Sequence, residues 1–167
     1  NQDAVEKNEI ATLASVLELV PESKALAEYV ATLQKGIRET AKGNALEIDA
    51  AMKAYASALG CSPVKIELTA EEKAAAKIYP KSTAKVLESG YGVMRTISPE
   101  LMAKYGFNKR GSVINGGEIA KLTTNGTNSI LDIKKMLDAQ FPVGDSIESI
   151  TKYVRMLEEA GLVTVKQ

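Results

Sequence analysis

Residues 128–165 read NSILDIKKMLDAQFPVGDSIESITKYVRMLEEAGLVTV, and this stretch decides the fold. Ile130, Ile133 and Leu137 recur at three-to-four spacing and form the apolar stripe of one helix. Pro142-Val143-Gly144 breaks the chain. Asp145-Ser146-Ile147-Glu148 has the form of a capping box, opening a helix with Ile147, Ile150, Val154 and Leu157 on one face. Gly161 stands where a C-terminal cap belongs, and Leu162-Val163-Thr164-Val165 has strand character. Helix, turn, helix, glycine, strand is the order of a winged-helix unit, and its first helix is expected to begin near residue 112. Gly116-Gly117 weakens that first helix although Ile119 and Leu122 keep its spacing, and Asn125-Gly126 marks the turn after it. No return strand follows Val165, so a full wing is not expected.

Working upstream, Ser98-Pro99-Glu100 is a helix start, with Ser as N-cap and Pro at the first helical position. Leu101, Met102 and Tyr105 supply its apolar face and Gly106 its end. Between Cys61 and Ile97 the texture is mixed. Val64 to Leu68 alternates like a short strand, Thr69-Ala70-Glu71-Glu72 caps a helix reaching Ile78, and Pro80 stops it. Residues 82–97 fit an irregular strand pair or a long connector. The first sixty residues are Ala-rich and predict three helices, arranged as a helical hairpin or a three-helix layer. Their stripes are Ile10, Leu13, Leu17 and Val20; Leu26, Tyr29, Val30, Leu33 and Ile37; and Leu46, Ile48, Met52, Tyr55 and Leu59. Pro21 marks one helix start, and Gly43-Asn44 and Gly60 mark helix ends. The expectation is a mainly α protein: a helical layer over 1–62, a connector over 63–97 with a short strand and helix, and a winged-helix-like module over 98–167.

Composition narrows the function classes. The chain has 167 residues, 45% of them hydrophobic and 25% charged, which suits an ordered domain with a core of its own rather than a disordered segment. Lys plus Arg number 21 and Asp plus Glu also 21, so no bulk charge draws the chain to nucleic acid or an anionic membrane. No apolar run approaches the ~20 residues that cross a bilayer. There is no histidine at all. A Ser-His-Asp triad, a Cys-His pair and a His-bearing zinc site are therefore absent, and the chain alone is not expected to be an enzyme. A start at Asn1 rather than Met reads as a processed or excised polypeptide, with an extracytoplasmic location slightly favoured over the cytoplasm.

Individual residues point the same way. Gly90-Tyr91-Gly92 and Asn115-Gly116-Gly117 lack the lysine and hydroxyl of a phosphate loop and read as turns. Glu71-Glu72, Asp132 and Glu158-Glu159 lie beside Lys or Arg on predicted helices and read as solvated faces. Cys61, with no cations beside it in sequence, reads as buried filler. No catalytic, cofactor or metal residue is assigned. On the helix over 146–160, Glu148, Ser149, Lys152, Arg155, Met156 and Glu159 fall outward, and Ser149, Lys152, Arg155 and Met156 are the candidate contact surface. Were this a DNA-reading helix it would enter the major groove, but residues 126–167 carry a net charge of −1, which disfavours nucleic acid.

Three segments carry a resemblance: Gly117 to Gly126 (GEIAKLTTNG), Asn128 to Phe141 (NSILDIKKMLDAQF) and Ser146 to Val163 (SIESITKYVRMLEEAGLV). Together they resemble the winged-helix-like C-terminal region of bacterial di-zinc aminopeptidases, the exopeptidases that include leucine aminopeptidases. Leu68 to Lys73 and Tyr79-Pro80-Lys81 are similar to the linker before it, so the likeness spans about residues 68–165. Asn125-Gly126-Thr127 departs from the acidic-Gly-basic turn common in such tails. None of the family's zinc ligands has a counterpart here. The resemblance implies a non-catalytic accessory region whose partner is a catalytic domain or another subunit. A DNA-binding regulator using Lys152 and Arg155, and a secreted protein holding a peptide along its C-terminal strand, are the alternatives.

Overall fold

The structure, a computed structural model, describes residues 2–64, 66–108 and 114–166. The chain is mainly helical with a two-strand antiparallel sheet, and it divides between Glu67 and Leu68 into two units.

In the first unit, α1 (Gln2–Ser15) ends in a 3₁₀ turn at Val16–Glu18, and α2 (Lys24–Ala58) follows. Helix α2 begins three residues past Pro21, at Lys24, and is capped by Ser23, whose side chain accepts from the Leu26 amide at 3.3 Å. The two helices run antiparallel: Gln2 Nε2 donates to the Ala41 carbonyl at 2.9 Å and Gln34 Nε2 to that of Ile10 at 3.1 Å. The expected break at Gly43-Asn44 does not occur, because both residues lie inside α2. An interior glycine costs a helix only about 1 kcal/mol, and one apolar stripe continues past it. Leu26, Val30, Leu33, Ile37, Ala41, Asn44, Ile48, Met52, Tyr55 and Leu59 follow at steps of four and three, in an eleven-residue repeat. That period, ~3.67 residues per turn, keeps the stripe on one side of a nearly straight helix. The strand expected over Val64–Leu68 is also missing among the described residues. Val64 is 79% and Ile66 91% exposed, so its alternation has no core to face.

The second unit contains α3 (Ala70–Ala75), β1 (Tyr79–Ser82), α4 (Ala84–Ser89), a 3₁₀ stretch at Tyr91–Thr96, α5 (Pro99–Lys104), α6 (Gly116–Leu122), α7 (Ile130–Gln140), α8 (Ile147–Glu159) and β2 (Val163–Lys166). Thr69 caps α3 in a full capping box with Glu72, and Ser129 does the same for α7 with Asp132. At α8 the cap differs from expectation. Ser146 is the N-cap and Ser149 the residue whose amide it binds, which frees Asp145 for another contact. Where residues 82–97 were expected to form an irregular strand pair or a long connector, Ser82 ends β1 and Ala84–Ser89 and Tyr91–Thr96 are helical; the start near residue 112 lies outside the described residues.

The core gathers Ile119 of α6, Ile130, Ile133 and Leu137 of α7, and Ile150, Val154, Met156 and Leu157 of α8, with Leu162 and Val163 closing it. The partner of β2 comes from upstream. Tyr79 pairs with Lys166, Pro80 with Val165, Lys81 with Thr164 and Ser82 with Val163. Pro80 thus sits within a strand rather than only ending a helix, as an edge position permits. Beside it the buried Ser82 and Thr123 hydroxyls share a hydrogen bond at 3.1 Å, and the Ser82 amide donates to the Thr123 carbonyl, tying β1 to the end of α6.

One glycine sets a close approach in this core. A Cβ on Gly116 would lie 2.5 Å from Tyr153 Oη and 2.6 Å from Cζ. The Tyr153 ring meets Phe107 edge-on at 5.5 Å and cannot retreat freely. Gly116→Ala is therefore expected to destabilise the fold by about 1–3 kcal/mol, read from a urea midpoint. Gly117→Ala, with nothing within 4 Å, is the control and should cost nothing.

Candidate interaction surfaces

The outward face of α8 was the sequence-derived candidate, and the structure divides its residues. Met156 is only 1% exposed and belongs to the core, so it is withdrawn from the surface. Its burial follows from the packing of α8 against α3, α7 and β2, which widens the apolar arc beyond a single stripe. Lys152 is exposed, while Ser149 and Arg155 are half-buried. Both cations are held by carboxylates one turn away: Lys152 Nζ donates to Glu148 at 2.6 Å and Arg155 Nη1 to Glu158 at 2.6 Å. Ser149 is the residue that Ser146 caps, with its own hydroxyl 2.9 Å from the Ser146 hydroxyl.

The same face carries a short charged cluster. Lys104 Nζ lies 2.7 Å from both oxygens of Glu159, and Tyr105 Oη donates to the same carboxylate at 2.9 Å. These bonds, Lys104 first, hold the Glu159 carboxyl below its ordinary range. Its hydrogen bond to Glu159 holds the Lys104 ammonium above its own. The Lys152 bond lowers Glu148 likewise. For each carboxylate the contribution is present above its unfolded pKa and fades as pH falls through the lowered folded value. All three groups are open to solvent and screened, so these are local pairings rather than a reactive site.

Several carboxylates have specific structural work, among them Glu72 and Asp132, which were expected to be solvated. Glu72 and Asp132 close capping boxes, and Lys134 is bonded to Asp138. Asp145, 9% exposed, accepts from the backbone and side-chain amides of Asn115, both at 3.0 Å. Cys61, expected to be buried, is an exposed free thiol. It follows the end of α2, where the chain turns away with its amide bonded to the Ala56 carbonyl at 2.9 Å. No group of three or more His, Cys, Asp or Glu side chains is placed to hold a metal among the described residues.

The larger surface lies in the first unit and was read in sequence only as core-facing stripe. Ile48 is 54%, Met52 51%, Tyr55 72% and Leu59 68% exposed. They continue the stripe whose earlier members, Val30 and Ile37, face α1. The charges of this segment, Asp49 and Lys53, are paired with each other at 2.6 Å. The Cys61–Val64 segment borders the same apolar hollow.

Known proteins give this chain no counterpart: no family model, no curated protein and no solved structure matches it.

Proposed function

We propose that the chain is a non-catalytic interaction region that engages its partner through apolar helix surface rather than through charge. The observation that carries this reading is the run of large apolar side chains left open on α2, because monomeric proteins seldom expose contiguous apolar patches of this kind. The chain's lack of histidine and its even charge favour the same reading.

Within it, α6, α7 and α8 followed by β2 constitute a winged-helix-like module in which β1, from upstream, replaces the return strand. The likeness of residues 68–165 to the C-terminal region of di-zinc aminopeptidases makes an accessory tail of a larger zinc exopeptidase the specific form of the proposal. The DNA-binding alternative is weakened by the pairing of Lys152 and Arg155 with Glu148 and Glu158, since a phosphate contact would first have to break those bonds. A peptide-binding reading has one observation in its favour. The sheet has two strands, so β2 has β1 on one side and an edge on the other that could accept an extended segment.

The test uses the purified chain. Supplied with zinc and aminoacyl substrates it is expected to show no turnover, and its mobility with duplex DNA is expected to stay flat from low to high salt. Turnover that follows the chain through purification overturns the interaction reading. Salt-dependent DNA retention replaces it with the regulator.

A further inference from the structure

We infer that the open half of α2 is closed by α2 of a second copy of this chain, in an antiparallel pair about a two-fold axis. This rests on the interaction reading above and names its partner. Helix α1 covers only part of the stripe. Its first turn lies level with Ala41, where Gln2 bonds, and it runs from there toward Leu26. With 14 residues α1 is ~21 Å long beside an α2 of ~52 Å. Ile48, Met52, Tyr55 and Leu59 therefore extend the same face, in the same eleven-residue register, beyond the reach of α1.

The segment is self-complementary in a way that fits another α2. An axis between Lys53 and Ala54 sets Ile48 against Leu59 and Met52 against Tyr55 of the partner copy, so large apolar side chains meet large ones. Ala51 and Ala58 flank one side of the stripe and Ala45 the other, which lets two backbones approach closely. In the same register Glu47 lies level with Gly60 and Asp49 with Ala58, and the cation nearest the axis, Lys53, is neutralised by its own Asp49 at 2.6 Å. The contact with a second copy is isologous, so a charge beside the axis lies next to its own copy and has to be paired within the chain. The exposed parts of Ile48, Met52, Tyr55, Leu59 and Val64 amount to roughly 600 Å² per copy, which doubled reaches the ~1,200 Å² at which specific stable interfaces begin.

The test is sedimentation equilibrium of the full chain between about 1 and 200 µM, where a mass of twice 17.9 kDa is expected to build with concentration. Met52→Glu with Tyr55→Glu places four carboxylates at the axis and should weaken association at least a hundredfold, with helicity by circular dichroism unchanged because both sites face solvent. Leu46→Glu, as exposed at 63% but on the opposite side of α2, should leave the dimer intact. A wild-type chain that stays monomeric throughout overturns the inference, and so does a dimer indifferent to the double substitution or equally broken by Leu46→Glu. A monomer without peptidase turnover would leave the interaction reading standing; turnover would remove that reading whatever the mass.

Discussion

Leu157→Ala is expected to lower the stability of the second unit by about 2–5 kcal/mol, the range for emptying a closed aliphatic site. Leu157 is fully buried on α8, the helix that packs against α3, α7 and β2, and its carbonyl accepts the Leu162 amide at 2.9 Å as the chain turns toward β2. Truncation leaves a cavity where helices and sheet meet, and a packed interior closes over such a void only in part. The measurement is amide hydrogen exchange in α7 and α8, whose slowest protons report opening of the unit as a whole. Leu87→Ala, on α4 of the same unit, is the matched control. At 55% exposure it should change stability by no more than about 0.5 kcal/mol. Equal effects at the two positions would mean that α8 is not the centre of the core.

Asp145→Ala comes next, with an expected loss of about 1.5–3 kcal/mol, typical of a hydrogen-bonded charge in a sheltered place. One oxygen of this carboxylate receives both the backbone and the side-chain amide of Asn115, the residue that precedes α6. The contact fastens the approach to α8 onto the start of α6, across thirty residues of chain. Without it two donors lose their acceptor in a half-buried setting. Urea unfolding gives the magnitude, and the nitrogen-15 shift of the Asn115 amide should move in Asp145→Ala with little change at α2. An Asn115 shift that stays in place would show that the bond is not formed in solution.

The parts of the fold legible in sequence are those specified by local chemistry. Thr69 and Ser98 cap helices because their hydroxyls reach an amide three residues on, and the Ile130, Ile133, Leu137 stripe needs nothing beyond helical geometry. What escaped is set by distant partners. Tyr79-Pro80-Lys81-Ser82 is too short and too proline-bearing to announce a strand, and it becomes one because Val163–Lys166 lies beside it. Met156 sits off the main stripe of α8, and only the elements packed around that helix reveal that it is covered. Gly43-Asn44 gave a local signal for a helix end that was real but weak against the continuity of the stripe on either side. That continuity was visible in the spacing from Leu26 to Leu59, and an eleven-residue period would have exposed it where separate three-helix stripes did not. Of the candidate surface, Lys152, Ser149 and Arg155 are outward or half-outward as read. Their bonds to neighbours depend on rotamers that sequence does not specify.

The pairing of residues 79–82 with 163–166 also dictates an order of events during synthesis. The first strand stays without its mate until more than eighty further residues have been translated. Contacts this far apart along the chain are slow to close. The second unit therefore acquires its final cooperativity late, whereas the hairpin of α1 and α2, built from near neighbours, is ready early.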